Sequence, residues 1–327
     1  MKPLQYDHPV SLSWGRRAIV AVACVAALAG GCDKPSTPVP GPQKDEVPGE
    51  RVVREDATLS ANLPERPERI VSLAPSTTEV LYALGAGERV VGVTRYCDFP
   101  EEVSEVPKIG GMLDPDLEAI LAARPDLVVG VQAGADHQVA DQLQEAGVAY
   151  AFARGDDLDA ALHTMELLGA WIGEEEAGRE LRARTEQAIE EVSGQLQAAH
   201  GVSPQRALLA YDREPVVVAG PGSFGAELIA LAGLENAVGD ATTAYPVLDM
   251  EAVIEAEPQI IIDVSLNVSS EEVLGFWQTF KSLPAVTEER VVHLPDAVMM
   301  RPGPRVPQAL ELLGEAARGG GAGQAAR

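Results

Sequence analysis

Apolar residues in this chain occur either in short unbroken runs or in stripes at helical spacing. Ile70, Val71 and Leu73 form one run before Pro75; Val80, Leu81 and Leu84 then recur every three or four positions, and Val90 to Val93 form a second run. The string RIVSLAPSTTEVLYALGAGERVVGVTRYCDFP, from Arg69 to Pro100, therefore predicts strand, loop, helix and strand. Ser76-Thr77-Thr78-Glu79 has the spacing of a capping box, and Gly85 can end the helix in a left-handed conformation. The loop at Pro75-Ser76 falls at the carboxyl end of a strand, where open α/β sheets bind ligands. A helix is expected from Asp114-Pro115, with Leu117, Ile120 and Leu121 inward and its end before Pro125. Leu127 to Val129 reads as a central parallel strand, Gln138 to Glu145 as a helix and Val148 to Phe152 as a strand. Asp156 or Asp157 should cap a further helix that runs to about Trp171.

From Glu174 to His200 the chain has no proline, and Leu181, Thr185, Ala188, Val192, Leu196 and Ala199 make one stripe. Such a segment between two α/β stretches predicts a rigid helix bridging two lobes. The second lobe repeats a unit of the first. Asp116 to Val129 aligns without gaps to Asp249 to Ile262, so residue numbers differ by a constant 133 (118 and 251, for example). Asp, Glu, two Ala and Pro are identical, and most other positions exchange one apolar residue for another. A helix-Pro-strand unit occurring twice argues for two lobes of similar build.

The chain has 327 residues with a hydrophobic content of 46%, enough for two packed lobes. A formal net charge of −25 excludes nucleic acid as an expected partner, since phosphate binding needs a basic surface. Three cysteines cannot build a disulfide framework or a thiolate metal cluster, and Cys97 is expected to be a small buried hydrophobe. His8, His137, His163, His200 and His293 are scattered without the spacing of paired ligands, so no metal site and no resident cofactor are expected. Gly220-Pro221-Gly222-Ser223-Phe224-Gly225 satisfies GxGxxG, with Asp240 downstream. A dinucleotide-binding enzyme would need a second apolar strand before that acid, and Leu234 to Asp240 supplies none. The expectation is a binding protein, not an enzyme, in which Gly222 and Ser223 start a helix facing a cleft.

At the N-terminus Arg16-Arg17 precede the apolar run Ala18 to Ala29 and then Gly30-Gly31-Cys32. This pattern predicts a secretory signal over 1–31, cleaved before Cys32, the lipidated residue. The proline-rich stretch over 32–51 is expected to be an extended tether, holding the protein outside the cytoplasm at a membrane it does not cross. Lobes are then expected over 52–170 and 201–318, a bridging helix over 171–200 and a disordered tail over 319–327.

The Arg69–Pro100 string, and the chain from about Val52 to Ala317, resemble the periplasmic-type binding proteins that serve ABC importers of cobalamin, ferric siderophores and haem. The resemblance implies two Rossmann-like α/β lobes, a single long rigid connecting helix, a ligand cleft between the lobes and a monomer. Glu118 and Glu251 match the carboxylates that dock onto the permease in that family. Tyr96 and Tyr245 match aromatic cleft residues of cobalamin binders, and Arg301 a polar contact near the corrin side chains. Met112 or its neighbours and Val131 stand where the best-known cobalamin binder has tryptophans. Pro75, Ser76, Tyr96, Met112, Gly222, Ser223, Tyr245 and Arg301 are thus the expected ligand contacts. A cobalamin-type corrinoid is the preferred ligand. The alternative is a ferric siderophore held by Arg95, Arg301 and Arg305, or a haem.

Overall fold

The computed structural model describes residues 51–132, 136–155, 157–200, 204–295 and 297–319. The signal over 1–31, Cys32, the tether as far as Glu50, Asp156 as a cap and the tail beyond Gly319 lie outside the described residues. Among the described residues no helix is long and apolar enough to cross a membrane.

The first lobe is built on β1 (Arg51–Val53), β2 (Ala57–Ser60), β3 (Ile70–Ser72), β4 (Val90–Val93), β5 (Leu127–Val131) and β6 (Ala149–Ala153). Their order is β1-β2-β6-β5-β3-β4, parallel from β6 to β4 with an antiparallel edge at β1 and β2. Its helices are α1 (Pro75–Ala83), α2 (Leu117–Ala122), α3 (Asp136–Glu145) and α4 (Leu158–Trp171). A long helix, α5 (Glu175–His200), leads to the second lobe.

That lobe contains β7 (Arg206–Arg213), β8 (Val216–Val218), β9 (Glu235–Asn236), β10 (Val247–Leu248), β11 (Ile260–Asp263) and β12 (Val291–His293). The order is β10-β8-β7-β11-β12, with β9 pairing β7. Its helices are α6 (Phe224–Leu231), α7 (Met250–Glu255), α8 (Ser270–Gln278), α9 (Pro284–Thr287) and α10 (Val306–Ala317).

Successive residues of the central strands serve opposite faces, as the pleat requires. Val71 and Val128 enter a core shared with Ile120 and Leu143, whereas Ile70, Leu127 and Val129 face the other way. In the second lobe Leu208 and Ile261 pack with Trp277, and Ala207, Leu209, Ile260 and Ile262 face the opposite side. The two opposite-side sets belong to one continuous core, joined through Met165 and Leu168 of α4, Leu181, Ile189 and Leu196 of α5, and Leu310 and Leu313 of α10. Helix α5, about 39 Å long at 1.5 Å per residue, packs on α4 of the first lobe and on α6 and α10 of the second. It carries the bridging role expected of it. Its buried stripe passes through Ile189 and Ser193, with Ala188 and Val192 half-buried and Ala199 exposed.

The internal repeat is structural. Asp116 and Asp249 cap α2 and α7 by accepting from the amides of Ala119 and Ala252 at 3.0 and 2.9 Å. Past each helix Arg124 and Glu257 take the same left-handed turn, with φ of 48° and 44°, before a proline and a central strand. Two local expectations fail. Helix α2 starts at Leu117 rather than at Asp114-Pro115, because Asp116 takes the cap and Asp114 pairs with Arg95 at 2.8 Å. Leu121 points outward, 37% exposed, and Ile120 alone in α2 is buried. Strand β2 has no counterpart among the expected elements. Its Ser60 Oγ accepts from Tyr150 N, and Thr58 Oγ1 accepts from Gln132, so these hydroxyls are buried without loss of partners.

Candidate functional site

A cleft of about 760 Å³ opens between the lobes where the carboxyl ends of the parallel strands converge. Its first-lobe wall is the start of α1 (Pro75 and Ser76), Tyr96 after β4, Met112, and Val131 at the end of β5. The second-lobe wall is Tyr211 of β7, Phe224 at the start of α6, Tyr245, Asn267 and Met300. The 133-residue offset that relates the repeats also relates Met112 to Tyr245, so each lobe presents to the cleft the residue four positions before the first aspartate of its repeat.

The Pro75-Ser76 segment is not a loop, and no capping box forms there. Pro75 occupies the first position of α1, where its fixed φ suits a helix and its missing N–H costs nothing, and Ala74 is the cap. That sets Ser76 inside the first turn, half-buried against the cleft. Thr77 and Thr78 donate to Ala74 O at 2.9 and 3.0 Å. Ser269 and Glu272 form a capping box instead, at α8.

Neither Gly222 nor Ser223, both expected at the cleft surface, is among the residues that line it; Gly222 is exposed. Ser223 is fully buried, caps α6 by accepting from Ala226 N, and donates to Gly220 O at 2.7 Å. The strand preceding this GxGxxG segment, β8, runs antiparallel to both neighbours, so it does not open the βαβ unit of a dinucleotide site. Tyr211, Phe224, Asn267 and Met300 line the cleft without having been expected there, and Tyr211 is the one phenol among them. Its ring packs on Tyr245 with centroids 5.6 Å apart, and burial, then the nearby Tyr245, holds its hydroxyl well above the ordinary tyrosine range. Gly225 makes room for it, since a Cβ there would lie 2.3 Å from the Tyr211 hydroxyl. Its place near the carboxyl end of a central strand was the available signal.

Beside the cleft lies a charge network centred on one buried carboxylate. Glu79 of α1, whose side chain is 2% exposed, accepts from Arg305 Nε at 2.9 Å and Nη2 at 2.6 Å, and from Arg301 Nη1 at 3.4 Å. Arg301 also donates to Asp98, to both of its carboxylate oxygens, and to Tyr96 O at 2.8 Å. Arg305 stacks over Phe99, 4.0 Å from the ring centroid. Glu79, Tyr96 and Asp98 belong to the first lobe, and both arginines to the segment leading into α10. The Arg301 hydrogen bonds hold the Asp98 carboxyl below its usual range against the opposing effect of burial. Arg301 is among the residues lining the cleft, and it donates to Glu79, Asp98 and Tyr96 O.

A second interlobe contact lies at α4. Glu227 of α6 accepts from Leu158 N at 2.8 Å, while the Asp157 carboxylate accepts from Ala160 N at the same helix start. Burial raises the Glu227 carboxyl above its ordinary range; the Leu158 hydrogen bond opposes this, and Asp157 and Asp159 add to it. Cys97 is buried beside Thr78 and Thr94, as its composition suggests. Trp171 and Trp277 are buried, the latter donating to Asp263 at 2.8 Å, so neither lines the cleft. Glu118 and Glu251 lie outside the cleft, exposed on the first turns of α2 and α7.

The model of the family described as periplasmic binding protein matches residues 70–298, which spans both lobes and the bridge. The chain belongs to that family. A vitamin B12-binding protein of Vibrio cholerae serotype O1 is 27% identical over 244 residues, covering 75% of this chain and 87% of that one. The crystal structure of the periplasmic vitamin B12 binding protein of Vibrio cholerae matches with a TM-score of 0.66 and 26% identity over 77% of this chain and 97% of that one. The periplasmic haem-binding protein of Roseiflexus sp. RS-1 in its apo form matches with a TM-score of 0.68 and 32% identity, over 76% and 97%. Proteins of this family are extracytoplasmic solute-binding proteins, not enzymes, that deliver small molecules to ABC transporter permeases.

Two consequences are measurable. Glu79→Ala leaves two buried guanidinium groups without their common anion and should cost about 3–5 kcal/mol in denaturant unfolding. For Glu227, a folded-state pKa above the unfolded one means that ionisation costs stability as pH rises through that interval. Glu227→Gln keeps an acceptor for Leu158 and removes that cost. Its Tm should therefore match the wild type near pH 4 and exceed it increasingly toward pH 7, as scanning calorimetry across that range would show.

Proposed function

We propose that this chain is the extracytoplasmic receptor of an ABC importer and that it captures a cobalamin-type corrinoid in the interlobe cleft. The supporting observation is how the cleft divides its chemistry. Its walls offer flat aromatic and apolar surfaces, Tyr96, Tyr211, Tyr245, Met112 and Phe224, while its arginines are already matched by carboxylates. Arg95 pairs with Asp114, and Arg301 and Arg305 share Glu79. A polyanionic ferric siderophore would have to displace those carboxylates. A corrinoid arrives with its metal already coordinated and needs mainly stacking area, which favours the reading drawn from the vitamin B12-binding relatives.

Haem is the second reading. It is favoured by the haem-binding relative and by Tyr96 and Tyr245, half-exposed phenols facing the cleft, since a tyrosine oxygen is one of the axial ligands that haem iron accepts. Glu118 and Glu251, one per lobe at repeat-equivalent positions, are the proposed permease contacts, and Cys32 the lipidated residue that keeps the receptor at the membrane.

Titration with cyanocobalamin, haemin and ferric siderophores separates the ligand readings. Cyanocobalamin should bind with micromolar or tighter affinity and a shift in its visible spectrum, and haemin binding alone would replace the corrinoid reading with the haem one. In cells, Glu118→Lys with Glu251→Lys should abolish uptake and leave the affinity of the purified chain unchanged. A fall in affinity would move those residues into the cleft. Cys32→Ala should release the chain from the membrane fraction, and unchanged membrane association would remove the anchor.

A further inference from the structure

Large apolar side chains that stay exposed are available to meet a partner. Among the described residues eight stand out. Tyr96 and Tyr245 line the cleft and Phe99 lies under Arg305. Of the other five, Leu121 and Ile254 fall on the two repeated units, one in each lobe. Val53, Leu113 and Val247 lie outside those units.

Leu121 and Ile254 are repeat equivalents, with residue numbers 133 apart, and each is 37% exposed. Each follows the outward glutamate of its helix by three positions, Glu118 and Glu251 respectively, so carboxylate and apolar group share one helix face. The buried partners also correspond, Ile120 with Val253. A helix needing only to cover its lobe would bury one apolar position and leave the rest polar, and both helices depart from this at the same place. Neither glutamate takes part in a salt bridge among the described residues.

We propose that Leu121 and Ile254 are the apolar half of a duplicated docking element. Its occupant is a two-fold symmetric membrane permease that presents, once per subunit, a cationic group beside an apolar recess. This rests on the docking reading of Glu118 and Glu251 and adds to it the groups that supply contact area. Two copies of one patch on one chain call for a receptor with two copies of one site, which is a symmetric dimer. The charge fits: the chain carries −25 overall, and around Ile254 the surface holds Asp249, Glu251, Glu255 and Glu257. The copies are not identical, since Arg124 stands where the second lobe has Glu257. The second-lobe patch therefore contributes more of the salt-sensitive attraction. In each lobe the same short segment runs from a cleft-wall residue, Met112 or Tyr245, to the capping aspartate of the docking helix.

The test uses the full chain, tagged and expressed in its own organism. Membranes are solubilised in mild detergent, and the permease recovered with the chain is quantified by mass spectrometry at low and high salt. Leu121→Ser with Ile254→Ser should lower recovery about tenfold, keep its salt dependence and leave thermal stability unchanged. Glu118→Gln with Glu251→Gln should lower recovery and weaken the salt dependence, and Val53→Ser should do neither. If the serine pair recovers as much permease as the wild type while the glutamine pair fails, the carboxylate docking stands and the apolar element is wrong. If both pairs behave as wild type, or the wild type recovers none, the docking reading itself fails and the proposal with it.

Discussion

One buried carboxylate links the two halves of this protein. Glu79 sits in the second turn of a nine-residue helix, yet its side chain is 2% exposed and shared by Arg301 and Arg305 of the other lobe. A buried ion pair is a poor source of net stability, because desolvating the charges offsets most of their attraction. Its value lies in geometry. The Arg305 guanidinium meets Glu79 with two nitrogens on two oxygens, a fork that tolerates little rotation. Arg301 then reaches on to Asp98 and the Tyr96 carbonyl, so the same contact fixes the loop that carries a wall of the cleft.

The rest of the molecule makes that contact consistent with a preset cleft. Helix α5 packs on both lobes, and the apolar core on its side of the two sheets is continuous. Glu227 reaches the start of α4 from the second lobe, a further link away from the Glu79 network. With a helix, a shared core and two polar contacts spanning the lobes, large hinge closure would break many interactions at once. The cleft walls are correspondingly built from side chains set by local structure: Pro75 by its fit to a helix start, Tyr211 by the room that Gly225 leaves it.

Much of this could be read from the chain because it depends on near neighbours in sequence. Unbroken apolar runs gave the central strands, and the repeated Asp-x-Glu-Ala and Pro positions gave two lobes of one build. What escaped depends on distant partners. The Ser76-to-Glu79 spacing suited a capping box, but Pro75 starts the helix two residues early and arginines more than two hundred residues away claim Glu79. Strand β2 alternates Ala57 and Leu59 with Thr58 and Ser60 over only four residues, too short a pattern to announce a strand, and hydrogen bonds from Gln132 and Tyr150 make its hydroxyls fit to bury. Gly222 and Ser223 read as cleft residues because they start a helix that reaches the cleft, whereas Phe224, one residue on, is the side chain that faces it.

The most direct test of the Glu79 lock is the distance between spin labels placed one on each lobe, measured by pulsed electron resonance with and without the ligand that titration identifies. The account predicts a single narrow distribution in the free protein that ligand leaves in place, and a broad one in Glu79→Ala. A broad distribution in the free wild-type protein that narrows and shortens on binding would contradict it.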